Sequence, residues 1–279
     1  MDKKVLGALL MLVTAVLYGL EPMMAKSVLQ DSGALDVQFI RCVIAAVFLV
    51  PFLAFEKIKL KKGSLKNAAI LGFIGMGIAS TLYYLGLKLT GGLDAILIER
   101  SYPFLVFILS VVFLKEVITR RKITGSCLVI LGTFAVILEG FAGGGASLTG
   151  DLLVVGAMLT WAVWIIIAKT LVKDTNELFL AFIGFVMGAV SVFIYAGGSI
   201  APVLSPVMLG LGVLSALAWV FYFKALKLIT ASKATVIEST APFFTFIFTI
   251  IIISGIPSFY EILATFGIIA GLVLLSKEN

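Results

Sequence analysis

Residues 95–105 read AILIERSYPFL, and residues 234–244 read ATVIESTAPFF. Aligned without a gap, Glu99 is matched by Glu238, Pro103 by Pro242 and Phe104 by Phe243. A proline cannot donate to the carbonyl four residues before it, and its ring pushes that carbonyl aside. The carbonyls released in this way belong to Glu99 and Glu238 themselves. A carboxylate beside a released carbonyl is costly in hydrocarbon, so both positions are expected to face protein interior or a water-filled cavity.

The match continues outward from this stretch. Residues 70–137 align with 209–276 at a constant offset of 139, pairing Tyr83 with Tyr222, Leu87-Lys88-Leu89 with Leu226-Lys227-Leu228, and Gly132 with Gly271. Between 83 and 105, nine of 23 positions are identical. A fainter match at an offset of 143 pairs Gly7 with Gly150, Tyr18 with Trp161 and Ala25-Lys26 with Ala168-Lys169. The chain therefore reads as two repeats, residues 1–143 and 144–279.

Composition says where the repeats reside. Hydrophobic residues make up 61% of the chain and charged ones 13%, against about 25% charged in soluble domains. Apolar runs of about 20 residues recur, the length a helix needs to span a bilayer, and they exclude the alternating pattern of a β-barrel. The chain is expected to be an all-α integral membrane protein with ten spans, at 4–26, 35–55, 66–87, 93–114, 122–140, 150–171, 177–196, 206–227, 234–254 and 259–276. Glycine runs and charged loops separate them, and Thr149 and Ser258 are expected helix caps.

With the amino terminus in the cytoplasm, 17 of the 21 lysines and arginines fall at cytoplasmic ends and loops, which places both termini on that side. Five spans per repeat is an odd number. The second repeat must then enter the membrane upside down, giving two inverted five-helix repeats with a substrate site near the midplane between them. Inversion puts Glu99 toward the outer side and Glu238 toward the inner side.

The net charge of +6 is spread over short loops. It suits membrane orientation, and no nucleic-acid partner is expected. The absence of histidine removes histidine proton relays, and the two cysteines make neither a disulfide framework nor a metal site. No cofactor or metal is expected.

Helical spacing sorts the polar residues by face. Thr235, Glu238, Pro242, Thr245 and Thr249 form one stripe on the ninth span, and Glu99, Pro103 and Ser110 its thinner counterpart on the fourth. Tyr18 and Glu21 on the first span, Ser80 and Tyr83 on the third, Trp161 and Trp164 on the sixth, and Ser215, Trp219 and Tyr222 on the eighth complete an aromatic-walled chamber. Hydroxyls in membrane helices also bond to neighbouring backbone. Tyr18, Tyr83, Tyr84 and Trp161 could equally stand in interfacial belts.

Among the charges, Glu21 and Arg41 are expected at similar depth on consecutive helices, a candidate gate ion pair, with Glu99 and Arg100 close enough to join an outer lock. Glu238 has no arginine near it on its own side. Lys169, Lys233 or a bound cation remain as partners, which makes Glu238 the candidate for proton coupling.

The segment AILIERSYPFLVFILSVVFLKEVITRRKITGSCLVILGTFAVI at 95–137 and LYGLEPMMAK at 17–26 resemble the EamA-like branch of the drug/metabolite transporter superfamily, and the resemblance covers nearly the whole chain. Pro103, Glu116, Gly125 and Gly132 carry its most specific part, though Gly255 stands where the second half would repeat Glu116. The resemblance implies a transporter, often an exporter, of small metabolites such as amino acids. The expectation is an alternating-access carrier of amino acids or similar amphipathic solutes in the plasma membrane of a prokaryote, coupled to protons through Glu238, with a small-molecule substrate and the lipid bilayer as partners, acting as a monomer or homodimer. A clasp of a zwitterion by Glu99 and Arg100 would suit such a solute. A channel or passive pore, an exporter of cationic drugs and a lipid-modifying enzyme are the alternatives. The lack of histidine and of a nucleophile motif with a base argues against the enzyme.

Overall fold

The computed structural model describes residues 2–55, 63–102, 104–106, 120–143, 145–172, 175–229, 234, 237–252 and 258–276. Every regular element in them is helical. Helix α1 (Lys3–Leu29) is followed by α2 (Ala34–Phe55), and α3 (Ser64–Gly72) runs through a π-helical stretch, Phe73–Ala79, into α4 (Ser80–Leu89). A short α5 (Gly92–Glu99) precedes α6 (Arg120–Gly143), α7 (Gly145–Leu171), α8 (Glu177–Tyr195), α9 (Pro206–Leu228), α10 (Ala241–Ile252) and α11 (Phe259–Ser276).

Six helical stretches among the described residues are long and apolar enough to cross a membrane: α1, α2, Ser64–Leu89, Leu148–Ala168, α8 and α9. Ile123–Phe134, Ala241–Ile251 and Phe259–Gly271 are shorter apolar helices. Large side chains such as Phe55, Ile194, Ile251 and Phe259 lie exposed on the outside, the surface that lipid would cover. The protein is a multi-pass membrane protein.

Local chemistry sets the helix ends. Asn176 accepts from the backbone N–H groups of Leu178 and Phe179 at 2.8 and 3.1 Å, and Ser205 caps α9 ahead of Pro206. Gly197 and Gly198 take left-handed backbone angles that close α8. Ser258 forms a reciprocal capping box with Glu261, at 2.7 and 3.1 Å. Thr149 lies inside α7 instead of capping it, because that helix already begins at Gly145.

The same helix contacts occur twice, at the offsets of the sequence repeat. Helix α1 packs along α9 as α4 packs along α7, and α1 meets α10 as α7 meets α5. Between them α2 pairs with α8, α6 with α11 and α5 with α10. A Cβ built on Gly86 would stand 2.6 Å from the Gly150 carbonyl oxygen, and one on Gly7 would stand 2.8 Å from Leu228 Cβ and 3.6 Å from the Ala225 carbonyl. Gly150 is the repeat counterpart of Gly7, and Ala225 that of Gly86. Small residues at both crossings let the backbones close on each other, which is how helices associate where burial from water supplies no drive. This packing brings the ends of α5 and α10 together in the middle of the bundle.

Candidate functional site

Both proline-bearing segments stop being α-helical at their glutamates. Helix α5 ends at Glu99, and the chain continues in tight turns, with Ser101 N–H donating to Ile98 O at 3.2 Å and Tyr102 N–H to Glu99 O at 3.4 Å. In the second half Thr240 N–H donates to Ile237 O at 3.1 Å and Phe243 N–H to Thr240 O at 3.0 Å, where α10 begins. Pro242 sits in the first turn of α10, where its missing N–H costs nothing. Pro103, Ser110, Glu116, Lys233, Thr235 and Gly255 lie outside the described residues, as does the side chain of Lys169.

The two breaks open onto one shared cavity. Tyr18, Glu21, Tyr83, Glu99 and Arg100 line it from the first half, and Trp161, Trp164, Trp219, Tyr222 and Glu238 from the second. Arg41 and Tyr102 also reach it.

The first charged cluster is built on Arg41, which is 1% exposed. Its Nη1 donates to Glu21 Oε1 at 2.9 Å and to Ser215 Oγ at 3.1 Å, while Nη2 donates to Ser80 Oγ at 2.7 Å. Both Nε and Nη2 donate to Gln38 Oε1, at 3.0 and 2.8 Å. Gln38 in turn donates to the Met76 carbonyl in the π-helical stretch at 3.0 Å, and the Tyr84 hydroxyl donates to Glu21 Oε1 at 3.0 Å. One guanidinium thus ties α1, α2, α4 and α9 together with its donors satisfied, the condition for a buried charge to be tolerable.

The second cluster corrects an expectation. Glu238 does have an arginine partner: Arg100 Nη1 donates to Glu238 Oε1, and the Tyr102 hydroxyl donates to Glu238 Oε2 at 2.5 Å. Arg100 Nη2 stands 3.5 Å from Glu99 Oε2. Because both helices break at their glutamates, their ends converge on one cavity, and the long guanidinium side chain spans the gap between them. Arg100 also lies over the Tyr18 ring, 4.5 Å from its centroid.

Aromatic side chains form much of the remaining wall. The rings of Trp161 and Trp164 lie 5.2 Å apart and those of Trp164 and Trp219 5.5 Å apart, with Tyr222 5.9 Å from Trp164. Trp164 is anchored by its indole N–H, which donates to Leu71 O at 2.9 Å. Gly75 makes the seat, since a Cβ there would lie 2.9 Å from the Trp164 indole nitrogen. Thr245 departs from its expected place. Its hydroxyl donates to the Gly19 carbonyl at 2.8 Å, because Gly19 lets α10 approach α1 so closely that the threonine is used in joining them.

The polar faces sorted by helical spacing do not include Gln38 or Tyr102, and for Tyr84 that spacing leaves the chamber and an interfacial belt equally open. Gln38 lies three residues before Arg41 on the same helical face, a usable signal. Tyr102 lies in the non-helical turn, where spacing rules assign no face. No cluster of three metal-ligating residues occurs among the described residues.

The fold and site together define a multi-pass helical membrane protein with a buried, charged, aromatic-walled chamber. The profile of the EamA-like transporter family matches residues 5–138 and again 148–277, and the chain belongs to that family. It is 28% identical over 256 residues to the uncharacterized transporter YyaM of Bacillus subtilis (strain 168), covering 84% of this chain and 83% of YyaM. It is 26% identical to an uncharacterized transporter of Haemophilus influenzae over 89% of this chain and 84% of that protein. A crystal structure matches with a TM-score of 0.72 over 96% of this chain and 97% of its own, at 16% identity, a likeness of fold.

Proposed function

We propose that this membrane transporter is a secondary carrier that exports small amphipathic metabolites, amino acids or similar solutes, across a prokaryotic plasma membrane by alternating access. The observation that carries this reading is the single chamber where the broken helices of the two halves meet, holding Glu21, Arg41, Glu99, Arg100 and Glu238 with aromatic walls. A buried ion pair is often no more stable than apolar side chains of the same size, so five buried charges point to use rather than to stability.

Ten spans in two inverted halves, with both termini in the cytoplasm, belong to the same proposal. Family matches to each half separately and the mirrored contacts of Gly86 with Gly150 and of Gly7 with Ala225 support it. Proton coupling through Glu238 completes it: a proton there cancels the charge that holds Arg100 and frees the guanidinium for Glu99.

Flux of labelled solutes into and out of proteoliposomes tests the reading. Saturable flux with counterflow is expected, and unsaturable conduction in single-channel recording would replace the carrier with a pore. Transport by Glu238→Gln that still follows an imposed pH gradient would remove that residue from coupling.

A further inference from the structure

The charges in the chamber do not balance. Three carboxylates, Glu21, Glu99 and Glu238, face two guanidiniums, Arg41 and Arg100. Two of the carboxylates are held closely: Glu21 by Arg41 and Tyr84, and Glu238 by Arg100 and Tyr102. Glu99 has the long 3.5 Å approach of Arg100 Nη2 and the Trp161 indole N–H turned toward it, both looser than the contacts that hold Glu21 and Glu238. It is the carboxylate with acceptor capacity to spare.

A second observation points the same way. The Tyr83 hydroxyl and the Arg100 Nε are buried atoms without a hydrogen-bond partner among the described residues. Tyr83 and Arg100 are 5% and 8% exposed, and both line the cavity. Buried donors left unpaired are costly and uncommon, so their presence beside a cavity asks for an acceptor that enters it. A spare carboxylate, unpaired donors and indole faces within one cavity complement a specific chemistry.

We propose that Glu99, Tyr83 and Trp161 form a subsite for a monocationic organic amine that carries a hydrogen-bond acceptor next to the amine. The ammonium meets Glu99 and the indole face of Trp161, an arrangement that desolvated cations favour. The neighbouring acceptor takes the Tyr83 hydroxyl and Arg100 Nε. A simple alkylamine satisfies Glu99 and leaves the donors bare, while a carboxylic acid meets the donors and deepens the charge excess. An amine with net charge +1 brings the chamber to neutrality. This inference rests on the carrier reading, since it names the solute that the chamber takes.

The chain has three tryptophans, and all three, Trp161, Trp164 and Trp219, line this cavity, so intrinsic fluorescence reads the site directly. Non-aromatic probes of one shape keep the signal clean: leucinamide, 3-methylbutylamine and 4-methylpentanoate, titrated into the full-length protein in detergent. Leucinamide is expected to saturate at least tenfold tighter than 3-methylbutylamine, and 4-methylpentanoate to give no saturable change. Glu99→Gln is expected to weaken leucinamide at least tenfold. Tyr83→Phe, a smaller change that spares the charge should Glu99→Gln fail to fold, is expected to abolish the advantage of leucinamide over 3-methylbutylamine. Unchanged leucinamide affinity in Glu99→Gln, unchanged preference in Tyr83→Phe, binding of 4-methylpentanoate as tight as that of leucinamide, or no binding by any probe would each overturn the subsite. Saturable flux of 4-methylpentanoate without leucinamide binding would overturn it while leaving the carrier intact. Leucinamide binding without flux in either direction would do the reverse.

Discussion

Arg100 in the first half of the chain is ion-paired with Glu238, 138 residues further along, and both side chains are almost wholly buried. Removing one partner of such a pair leaves an uncompensated buried charge, which costs about 3–5 kcal/mol. Arg100→Gln is expected to destabilise by that amount and to abolish flux, because it leaves Glu99 and Glu238 facing one cavity without their cation. The double variant Arg100→Gln with Glu238→Gln should recover most of the melting temperature. Thermal unfolding in detergent checks it, and a double variant no more stable than the single one would contradict the pairing.

The Arg41 cluster makes a different demand, that of shape. Its planar fork serves Glu21, Gln38, Ser80 and Ser215 at once, which the point charge of a lysine cannot do. Arg41→Lys is expected to lose about 1–3 kcal/mol through the acceptors it strands. The same melting measurement reads this, and a variant within experimental error of wild type would show the fork to be dispensable.

Gly7 and Gly86 give a mirrored pair of tests. A Cβ at these positions would come within 2.8 and 2.6 Å of its neighbours, so valine must push α1 from α9 in one case and α4 from α7 in the other. Each substitution is expected to cost about 1–3 kcal/mol, the usual penalty of overpacking. Melting curves that drop for one and not for the other would argue against equivalent crossings.

Thr245 supplies the contrast. Thr245→Val keeps the volume and removes the bond to the Gly19 carbonyl, an interhelical hydrogen bond worth about 0.6–1.7 kcal/mol in membranes. A small drop in melting temperature with unchanged solute affinity is expected. A large affinity loss by fluorescence titration would return Thr245 to the chamber.

Much of this arrangement could be read before any coordinates. Prolines four residues after Glu99 and Glu238 announce two breaks, and the 3.6-residue period puts Tyr18, Glu21, Tyr83, Trp164, Trp219 and Tyr222 on inward faces. What escaped the reading depends on leaving the regular helix. Arg100 takes a turn conformation just past α5, so its direction follows from the break and not from its neighbour Glu99. Residues 66–87 read as one α-helix, yet Phe73–Ala79 widens into a π-helix. Within that stretch the Met76 carbonyl accepts from Gln38, which orients Arg41. Such a distortion is set by what packs against the helix, and single-sequence periodicity carries no trace of it.

Arg100 has no twin. The duplicated position in the second half is Ser239, whose hydroxyl is buried without a partner among the described residues. A lone cation therefore serves two carboxylates that duplication made equivalent, and in the proposed carrier the inward-open and outward-open forms cannot be isoenergetic. Emptied of solute, more copies should wait at one side of the bilayer than at the other, so the choice of resting door would trace to one unduplicated side chain.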